Sequence, residues 1–418
     1  MGASNPPPQP KTAASTLLDR LIPLDSFSLD EFKRICAQTT DPTLYPHATS
    51  IEKNIPIYNT STLSLTDAAQ TTQLQNEWYH ILQTGPGIFV LQQMFNPTAN
   101  TDDAATLTAT TAAFTQIIDH ETSKTQKKGD HFAASGHNAR IWNSFSKHAF
   151  TDAASFVAYY SNPWLQLVSE TWLGPAYRVT AQVNIVKSGG AAQAPHRDYH
   201  LGFQDEAACA AFPRGLHHAS QFLTLQGAVA HSDMPERSGP TRFLPFSQRF
   251  EAGYLAWRRP EFKAFFEEEE GGYVALPLRM GDAVFFNPAV MHAAGANQLP
   301  AESGFERKAN LLQIGSALGK TMESVDVVPV VRACWYEVRR RFDTTKVFDA
   351  RWEAFVKALA EGYPFPTNLD RRPPAPNGMA PESEQDLIRR GMLEGWDTEE
   401  MVARLKELHE DERGHQSL

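Results

Sequence analysis

Apolar and polar residues alternate in three different ways along the chain, and each pattern predicts a different kind of structure. Residues 65–95 begin with helical spacing, pass a Gly-Pro-Gly break and enter a short apolar stretch, Ile88–Val90. This order predicts a helix followed by a strand. Residues 104–118 and 152–174 predict further helices, the second interrupted at Asn162-Pro163.

Between residues 177 and 316 the helical spacing gives way to short apolar or alternating segments. These segments are separated by Gly, Pro, Asp and Ser, a pattern that is typical of antiparallel β-structure and not of βαβ units. The segments are "YRVTAQVNIVKSGG", "QFLTLQGAVAH", "TRFLPFS", "GYVALPL" and "DAVFFNPAVMHAAG". We therefore predict a β-core in the middle of the chain, with helices before and after it.

The two ends of the chain differ in composition from this middle part. Residues 17–36 predict a helix with capping candidates at Ser28 and Asp30, and residues 364–381 are rich in proline. The predicted organisation is a partly disordered N-terminal extension over 1–60, a β domain with supporting helices over 61–345, and a C-terminal helical extension with a Pro-rich linker over 346–418.

The composition and net charge of the chain indicate which classes of binding partner to expect. The chain has 42% hydrophobic and 21% charged residues and a formal net charge of −10, which argues against nucleic acid or an anionic membrane as the main partner. A small-molecule substrate is the better expectation, and a homodimer stays open. Cys36, Cys209 and Cys334 lie far apart, and no signal peptide or membrane span is recognisable, so we expect a soluble cytoplasmic protein.

Candidate chemistry comes from three His-x-Asp triplets: His196–Asp198, His231–Asp233 and His409–Asp411. The last triplet lies on a predicted helix, where residues two apart point in different directions. The second follows a strand and can be a polar strand end as well as a ligand pair. The first follows a strand and a Gly-rich connector, and in extended backbone both of its side chains project to one face.

A third ligand for the first triplet is His292, which ends a short apolar β-run. Two imidazoles and one carboxylate form the facial triad of non-haem Fe(II) oxygenases, which leaves three metal positions open. Arg307 lies 15 residues further on (307 − 292 = 15) at the start of the next apolar strand. Its guanidinium can bind the distal carboxylate of 2-oxoglutarate through two parallel hydrogen bonds, although a surface arginine beside a turn is an equal alternative.

Five ordered segments resemble the phytanoyl-CoA dioxygenase-like family of Fe(II)/2-oxoglutarate-dependent oxygenases: "QTGPGIFVL", "APHRD", "RSGPTRFLPFSQRF", "GDAVFFNPAVMHAAGAN" and "RKANLLQIG". The resemblance covers roughly residues 75–345. It implies a mainly β fold with flanking helices around a double-stranded β-helix, a cupin-like jelly roll. In that order of motifs His231–Asp233 falls at the end of a later strand, so His196–Asp198 is the metal pair.

The resemblance also implies roles for individual residues. His196, Asp198 and His292 would bind Fe(II), Arg307 would bind 2-oxoglutarate, and Gln193 and Thr241 match positions that contact this co-substrate in some members. Two departures concern the co-substrate: position 294 is alanine where some relatives have serine, and the loop before Arg307 is long, so that Lys308 is an alternative for the arginine role.

The function expected from these features is a dioxygenase that uses Fe(II), 2-oxoglutarate and O2 to oxidise, by default hydroxylate, a small organic molecule. An acyl-CoA and a secondary metabolite are both open as substrates, and desaturation, rearrangement and endoperoxide formation are open as outcomes. The rival is a cupin-like metal-binding isomerase or binding protein that does not use 2-oxoglutarate. We expect the connector after Asp198 to line the substrate pocket, with His200, Phe203, His217 and His218 as wall residues.

Overall fold

Two β-sheets form the centre of the computed structural model, which describes residues 18–25, 27–124, 138–198 and 201–413. In chain order the strands are β1 (Ser50–Glu52), β2 (Ile55–Asn59), β3 (Ile88–Gln92), β4 (Asn138–Ile141), β5 (Tyr177–Lys187), β6 (Thr224–Ala230), β7 (Thr241–Leu244), β8 (Val274–Ala275), β9 (Ala283–Phe286), β10 (Met291–Ala294) and β11 (Glu306–Ser316).

The larger sheet has eight strands in the order β1-β2-β3-β9-β6-β11-β5-β4, and the smaller has the order β10-β7-β8. All pairs are antiparallel except β2 with β3. The long strands β5 and β11 pair along their whole length, from Glu306 opposite Lys187 to Ser316 opposite Tyr177. This register fixes which residues of the larger sheet share a face.

Alternate residues of the larger sheet pack in two different hydrophobic clusters, one on each face. On β9, Val284 and Phe286 pack in a cluster that also contains Phe243 of the smaller sheet, whereas Ala283 and Phe285 pack in the cluster formed with the helices. Successive side chains of a strand point to opposite faces, so a strand covered on both faces must be apolar throughout. One face of this sheet therefore turns to the smaller sheet, and the other is covered by helices.

The helices contain more of the described residues than the strands do. None of the helices in the described ranges combines the length and apolar character that crossing a membrane requires. They are α1 (Leu29–Cys36), α2 (Ala68–Gln83), α3 (Thr101–Lys124), α4 (Ser144–Thr151), α5 (Ala153–Tyr160), α6 (Pro163–Leu173), α7 (Glu206–Ala210), α8 (Arg214–Ser220), α9 (Gly253–Ala256), α10 (Pro260–Phe266), α11 (Val327–Thr345), α12 (Ala350–Leu359), α13 (Glu384–Glu394) and α14 (Thr398–Glu412).

The C-terminal helices share the main hydrophobic core. Trp335 of α11 and Phe355 of α12 are fully buried in the same cluster as Phe285 of the larger sheet. Arg389 of α13 binds Glu353 of α12 at 2.9 Å, so charged pairs also join consecutive helices at the surface. The terminal helices therefore support the sheet face that lies away from the smaller sheet.

The predicted fold class is confirmed, with differences at individual elements. All five segments predicted as β-structure contain strands, and the Gly-Pro-Gly break separates α2 from β3. The helix predicted over 17–36 is shorter and begins at Leu29, because Ser28 is its N-cap and accepts a hydrogen bond from the backbone N–H of Glu31. Asp30 lies inside the helix. Residues 1–17 of the N-terminal extension that we predict to be partly disordered lie outside the described residues.

Three strands are absent from our prediction. The strands β1 and β2 extend one edge of the larger sheet and end one residue before the boundary placed at residue 60, and β4 forms the other edge. All three are only three to five residues long. In such short segments alternation alone does not separate a strand from a loop. The strands β1 and β2 also fall in the part of the chain that we assign to the N-terminal extension.

His231, from the second triplet, belongs to the structural core. Its Nδ1 lies 2.9 Å from the hydroxyl of Thr111 and its Nε2 lies 3.0 Å from the hydroxyl of Tyr159. Burial lowers the pKa of His231 from 6.5 to about 3, and nearby His148 and Lys308 add to the shift. The imidazole is therefore neutral in the folded protein and joins α3 and α5 to the end of β6.

This arrangement predicts loss of stability in acid. Between pH 6.5 and about 3 the unfolded chain binds a proton at His231 that the folded chain does not, so the free energy of unfolding falls as the pH is lowered. In His231→Gln the slope of the free energy of unfolding against pH should become smaller by up to about 1.4 kcal/mol per pH unit. Denaturant unfolding at several pH values from 7 to 4 measures this slope. The matched control is His120→Gln, at an exposed position of α3, and an equal change in both variants would contradict the prediction.

Candidate metal and co-substrate site

His196 and His292 are brought together by backbone pairing. The N–H of each residue donates to the carbonyl of the other at 2.9 Å, which makes them an antiparallel bridge at the edge of the smaller sheet. Directly opposed residues of such a pair carry their side chains on the same face. The two imidazole centroids are accordingly 4.5 Å apart.

A glycine turn directs the chain from β5 to this bridge. Gly190 N–H donates to the Lys187 carbonyl at 2.9 Å, and a Cβ at Gly190 would lie 2.4 Å from a methyl group of Val186. No side chain fits there without displacing its neighbours. The N–H of Asn297 also donates to the carbonyl of Gly190 at 3.0 Å, so the turn is tied to the segment that follows β10.

Both imidazoles are held in one tautomer by backbone carbonyls. Nδ1 of His196 donates to Ala194 at 2.8 Å, and Nδ1 of His292 donates to Val290 at 2.9 Å. A carbonyl only accepts hydrogen bonds, so each Nδ1 carries the proton and each Nε2 keeps its lone pair. Metal-binding histidines are oriented in this way in proteins.

Asp198 completes the cluster. Its N–H donates to the Pro288 carbonyl at 3.0 Å, and its carboxylate oxygens lie 3.9 Å from Nε2 of His196 and 3.7 Å from Nε2 of His292. One donor atom from each of the three residues lies within 4.8 Å of the others. Bonds from such donors to a first-row metal are about 2.0–2.2 Å, so a single ion fits among them. Two imidazoles and one carboxylate are the donor set of non-haem Fe(II) sites.

The protonation states suit metal binding. Burial would raise the pKa of Asp198, but His196, His292, the amide of Gln226 and Arg140 together hold it below its usual value. Burial and the neighbouring His196 lower the pKa of His292 to about 4. Near neutral pH Asp198 is ionised and His292 is neutral, and these are the forms that bind metal.

Arg307 lies in the same cavity as the triad. It is 4% exposed, and its guanidinium donates to the Gly295 carbonyl at 3.2 Å and to the Asn184 side-chain oxygen at 3.3 Å. Burial lowers its pKa to about 10, so the group is still a cation at neutral pH. Within the described ranges no carboxylate forms an ion pair with it. A buried cation without an anionic partner suits an anionic ligand.

Lys308, the alternative to Arg307, lies on the opposite face of β11. Its ammonium group lies 3.1 Å from the carboxylate of Glu306, and it does not line the cavity. The long loop before β11 therefore leaves Arg307 facing the triad.

Gln193 and Thr241 also lie at the cavity wall. Gln193 is held beside β10 because its N–H donates to the Ala294 carbonyl at 3.0 Å and its side-chain oxygen accepts from the Ala294 N–H at 3.3 Å. Thr241 pairs with Ala294 across β7 and β10. All six predicted site residues thus surround one space, together with Ala294.

This space has a volume of about 670 Å³ and lies between the two sheets. Part of its wall is apolar, with Val90, Leu278 and Phe286 among the lining residues. Of the wall residues predicted from the connector, Phe203 lines the cavity and is 94% exposed. His217 and His218 do not line it, and His200 lies outside the described residues.

The residues of the other two His-x-Asp triplets make contacts that stabilise the fold. His231 is in the core, and Asp233 accepts a hydrogen bond from the Met280 N–H at 2.9 Å. In the tail, His409 bonds to Glu384 at 2.6 Å, whereas Asp411 pairs with Arg371 at 2.7 Å. The two residues of each triplet thus have different partners, and neither triplet belongs to a three-residue metal cluster in the described ranges.

Four polar residues of the cavity wall are missing from the sequence prediction. Arg140 and Gln182 are hydrogen bonded to each other at 3.0 Å, and Gln226 and Gln313 are bonded at 3.1 Å. Gln226 also donates to Asp198 at 2.6 Å. Gln313 lies in the segment "RKANLLQIG", which carries the family resemblance but does not single out the glutamine, and no motif contains the other three residues. The only available signal is a glutamine in the interior of each of three predicted apolar strands.

Comparison with solved structures finds similar folds at low identity. The epimerase SnoN from nogalamycin biosynthesis is 16% identical, covering 59% of this chain and 84% of that chain, with a TM-score of 0.38. The carbocyclase SnoK from the same biosynthesis is 18% identical, covering 59% and 86%, with a TM-score of 0.42. Both are described as non-haem α-ketoglutarate-dependent enzymes.

Comparison with curated protein sequences finds no match. Comparison with protein families finds that residues 98–303 match phytanoyl-CoA dioxygenase (PhyH). The matched range contains the three triad residues and ends four residues before Arg307. The match confirms, over residues 98–303, that this chain is similar to the phytanoyl-CoA dioxygenase-like family of Fe(II)/2-oxoglutarate-dependent oxygenases.

Proposed function

We propose that this protein is an Fe(II)/2-oxoglutarate-dependent dioxygenase that hydroxylates a small organic molecule. His196, Asp198 and His292 would hold Fe(II), and Arg307 would bind 2-oxoglutarate. The observation that carries the proposal is the placement of a buried cation, Arg307, in the same cavity as a two-histidine, one-carboxylate cluster. A metal site that bound no anionic ligand would not need that cation.

The three metal ligands and Arg307 would have different roles in binding the co-substrate. Three protein ligands on one side of an octahedral metal leave three positions for co-substrate and oxygen. A guanidinium in a water-poor cavity binds a carboxylate through two charge-assisted hydrogen bonds. The carbonyl of Gly295 and the side chain of Asn184 hold the Arg307 side chain in place, so little side-chain entropy is lost when the ligand binds.

When bound, Fe(II) and 2-oxoglutarate would together activate O2, which supplies the oxidant needed to break a C–H bond. The chain's own residues orient the reactants and restrict water: the backbone carbonyls fix the imidazoles, and the apolar residues around Phe286 exclude solvent from that part of the cavity. Related halogenases leave the carboxylate position to chloride through a small residue. Asp198 fills that position, which favours hydroxylation over halogenation.

Replacing the triad carboxylate should weaken metal binding. Asp198→Asn keeps the shape of the side chain but removes the charge that binds the cation, so affinity for Co(II), used as an air-stable substitute for Fe(II), should fall by at least about tenfold. Asp233→Asn is the matched control from the second triplet and should leave the affinity unchanged. Calorimetric titration of metal-free protein measures both, and equal affinities in the two variants would show that Asp198 is not a ligand.

Replacing the cavity cation should weaken 2-oxoglutarate binding. Arg307→Gln removes a charge-assisted pair of about 1.5–3 kcal/mol, so the Kd for 2-oxoglutarate on Zn(II)-loaded protein should rise at least tenfold. Lys308→Gln, its neighbour on the opposite face, should change the Kd by less than about twofold. If wild-type protein binds the metal but not 2-oxoglutarate, the cupin-like alternative is correct.

A further inference from the structure

A row of glutamine side chains crosses the larger sheet beside the triad. Gln226 on β6 and Gln313 on β11 are directly opposite in the strand register, and Gln182 lies on the adjoining strand β5. All three line the cavity. A neutral carboxamide can present either a donor or an acceptor to a ligand, so the orientation of each amide decides what it recognises.

Asp198 determines the orientation of the first two amides. An ionised carboxylate only accepts hydrogen bonds, so Gln226 must turn its NH2 group toward Asp198, at 2.6 Å. The same nitrogen donates to the side-chain oxygen of Gln313 at 3.1 Å. Gln226 is 2% exposed, so its amide is shielded from solvent.

The orientation of Gln226 determines which group of the Gln313 amide faces the cavity. Its oxygen accepts from Gln226, so its NH2 group is left for the cavity, and in the described ranges that nitrogen has no hydrogen-bond acceptor. Arg140 also lines the cavity, and one of its guanidinium nitrogens donates to the side-chain oxygen of Gln182 at 3.0 Å. The wall beside the triad therefore presents a donor at Gln313.

We propose that Gln313 is a substrate-binding residue whose amide is oriented from Asp198 through Gln226, and that the substrate carries a carbonyl oxygen at the end lying beside the metal. A saturated hydrocarbon in that place would cover the Gln313 NH2 group without offering an acceptor, which is unfavourable. The inference rests on the proposed function because it assumes that a substrate approaches the triad. Gln226 is a positioning residue for both Asp198 and Gln313.

The test compares matched ligands on Zn(II)-loaded, full-length protein. The probes are cyclohexanone with cyclohexane and 1-tetralone with tetralin, measured by ligand-observed NMR titration. The ratio of ketone to hydrocarbon affinity should be at least about fivefold higher in wild type than in Gln313→Leu, because only wild type donates to the carbonyl. Gln204→Leu is the control, since this cavity-lining glutamine is exposed and donates to the Leu201 carbonyl of its own loop.

A second measurement tests the positioning role. Gln226→Leu should lower Co(II) affinity by about ten- to a hundredfold and change the visible spectrum of the bound Co(II), since Asp198 loses its donor. Gln313→Leu should change Co(II) affinity by less than about threefold. Gln313→Leu should nevertheless lose the preference for ketones over hydrocarbons.

The inference is overturned if the affinity ratio is the same in wild type and Gln313→Leu, or if neither ketone binds wild type. It is also overturned if folded Gln226→Leu binds Co(II) as wild type does. If circular dichroism shows that Gln226→Leu does not fold, the ratio of ketone to hydrocarbon affinity in Gln313→Leu still tests the inference, because Gln313 is only partly buried. None of these measurements needs 2-oxoglutarate, so failure of the proposed function and failure of this inference give different results.

Discussion

The backbone pair between His196 and His292 is the constraint on which the site depends. Two hydrogen bonds of 2.9 Å join residues almost a hundred positions apart in the chain and place both imidazoles on one face. Asp198 then needs only the extended backbone of its own segment to reach the same point. Carbonyls within two residues of each histidine fix the tautomers, so the donor atoms are organised by main-chain groups.

The larger sheet supplies the cavity with a cation and carboxamide groups, which the His196–Asp198–His292 cluster lacks. Its strand register places Arg307, Gln226 and Gln313 on the cavity face while the intervening residues pack under the helices. A shift of one residue on β11 would put Lys308 into the cavity and Arg307 outside it. The long apolar face toward the helices makes such a shift costly, because it would turn buried residues such as Leu312 and Ile314 toward the cavity.

The sequence was informative where a feature is local. Alternation predicted the strands around the triad. The strand context separated His196–Asp198 from the triplet at His409, and the order of motifs in the family resemblance separated it from the triplet at His231. The glutamine row could not be predicted, because it depends on which strands are neighbours, and residues 226 and 313 carry no sign of their pairing. The helix predicted over 17–36 was too long because Pro23 and the cap at Ser28 restrict it to the segment that begins at Leu29.

Binding of iron and 2-oxoglutarate in one cavity can be measured by adding Fe(II) and then 2-oxoglutarate to metal-free protein without oxygen and recording the visible spectrum. We expect a metal-to-ligand charge-transfer band that appears only when both are present and that is lost in His292→Ala. If the protein binds both components but shows no such band, iron and 2-oxoglutarate are not in contact and the proposed site is wrong.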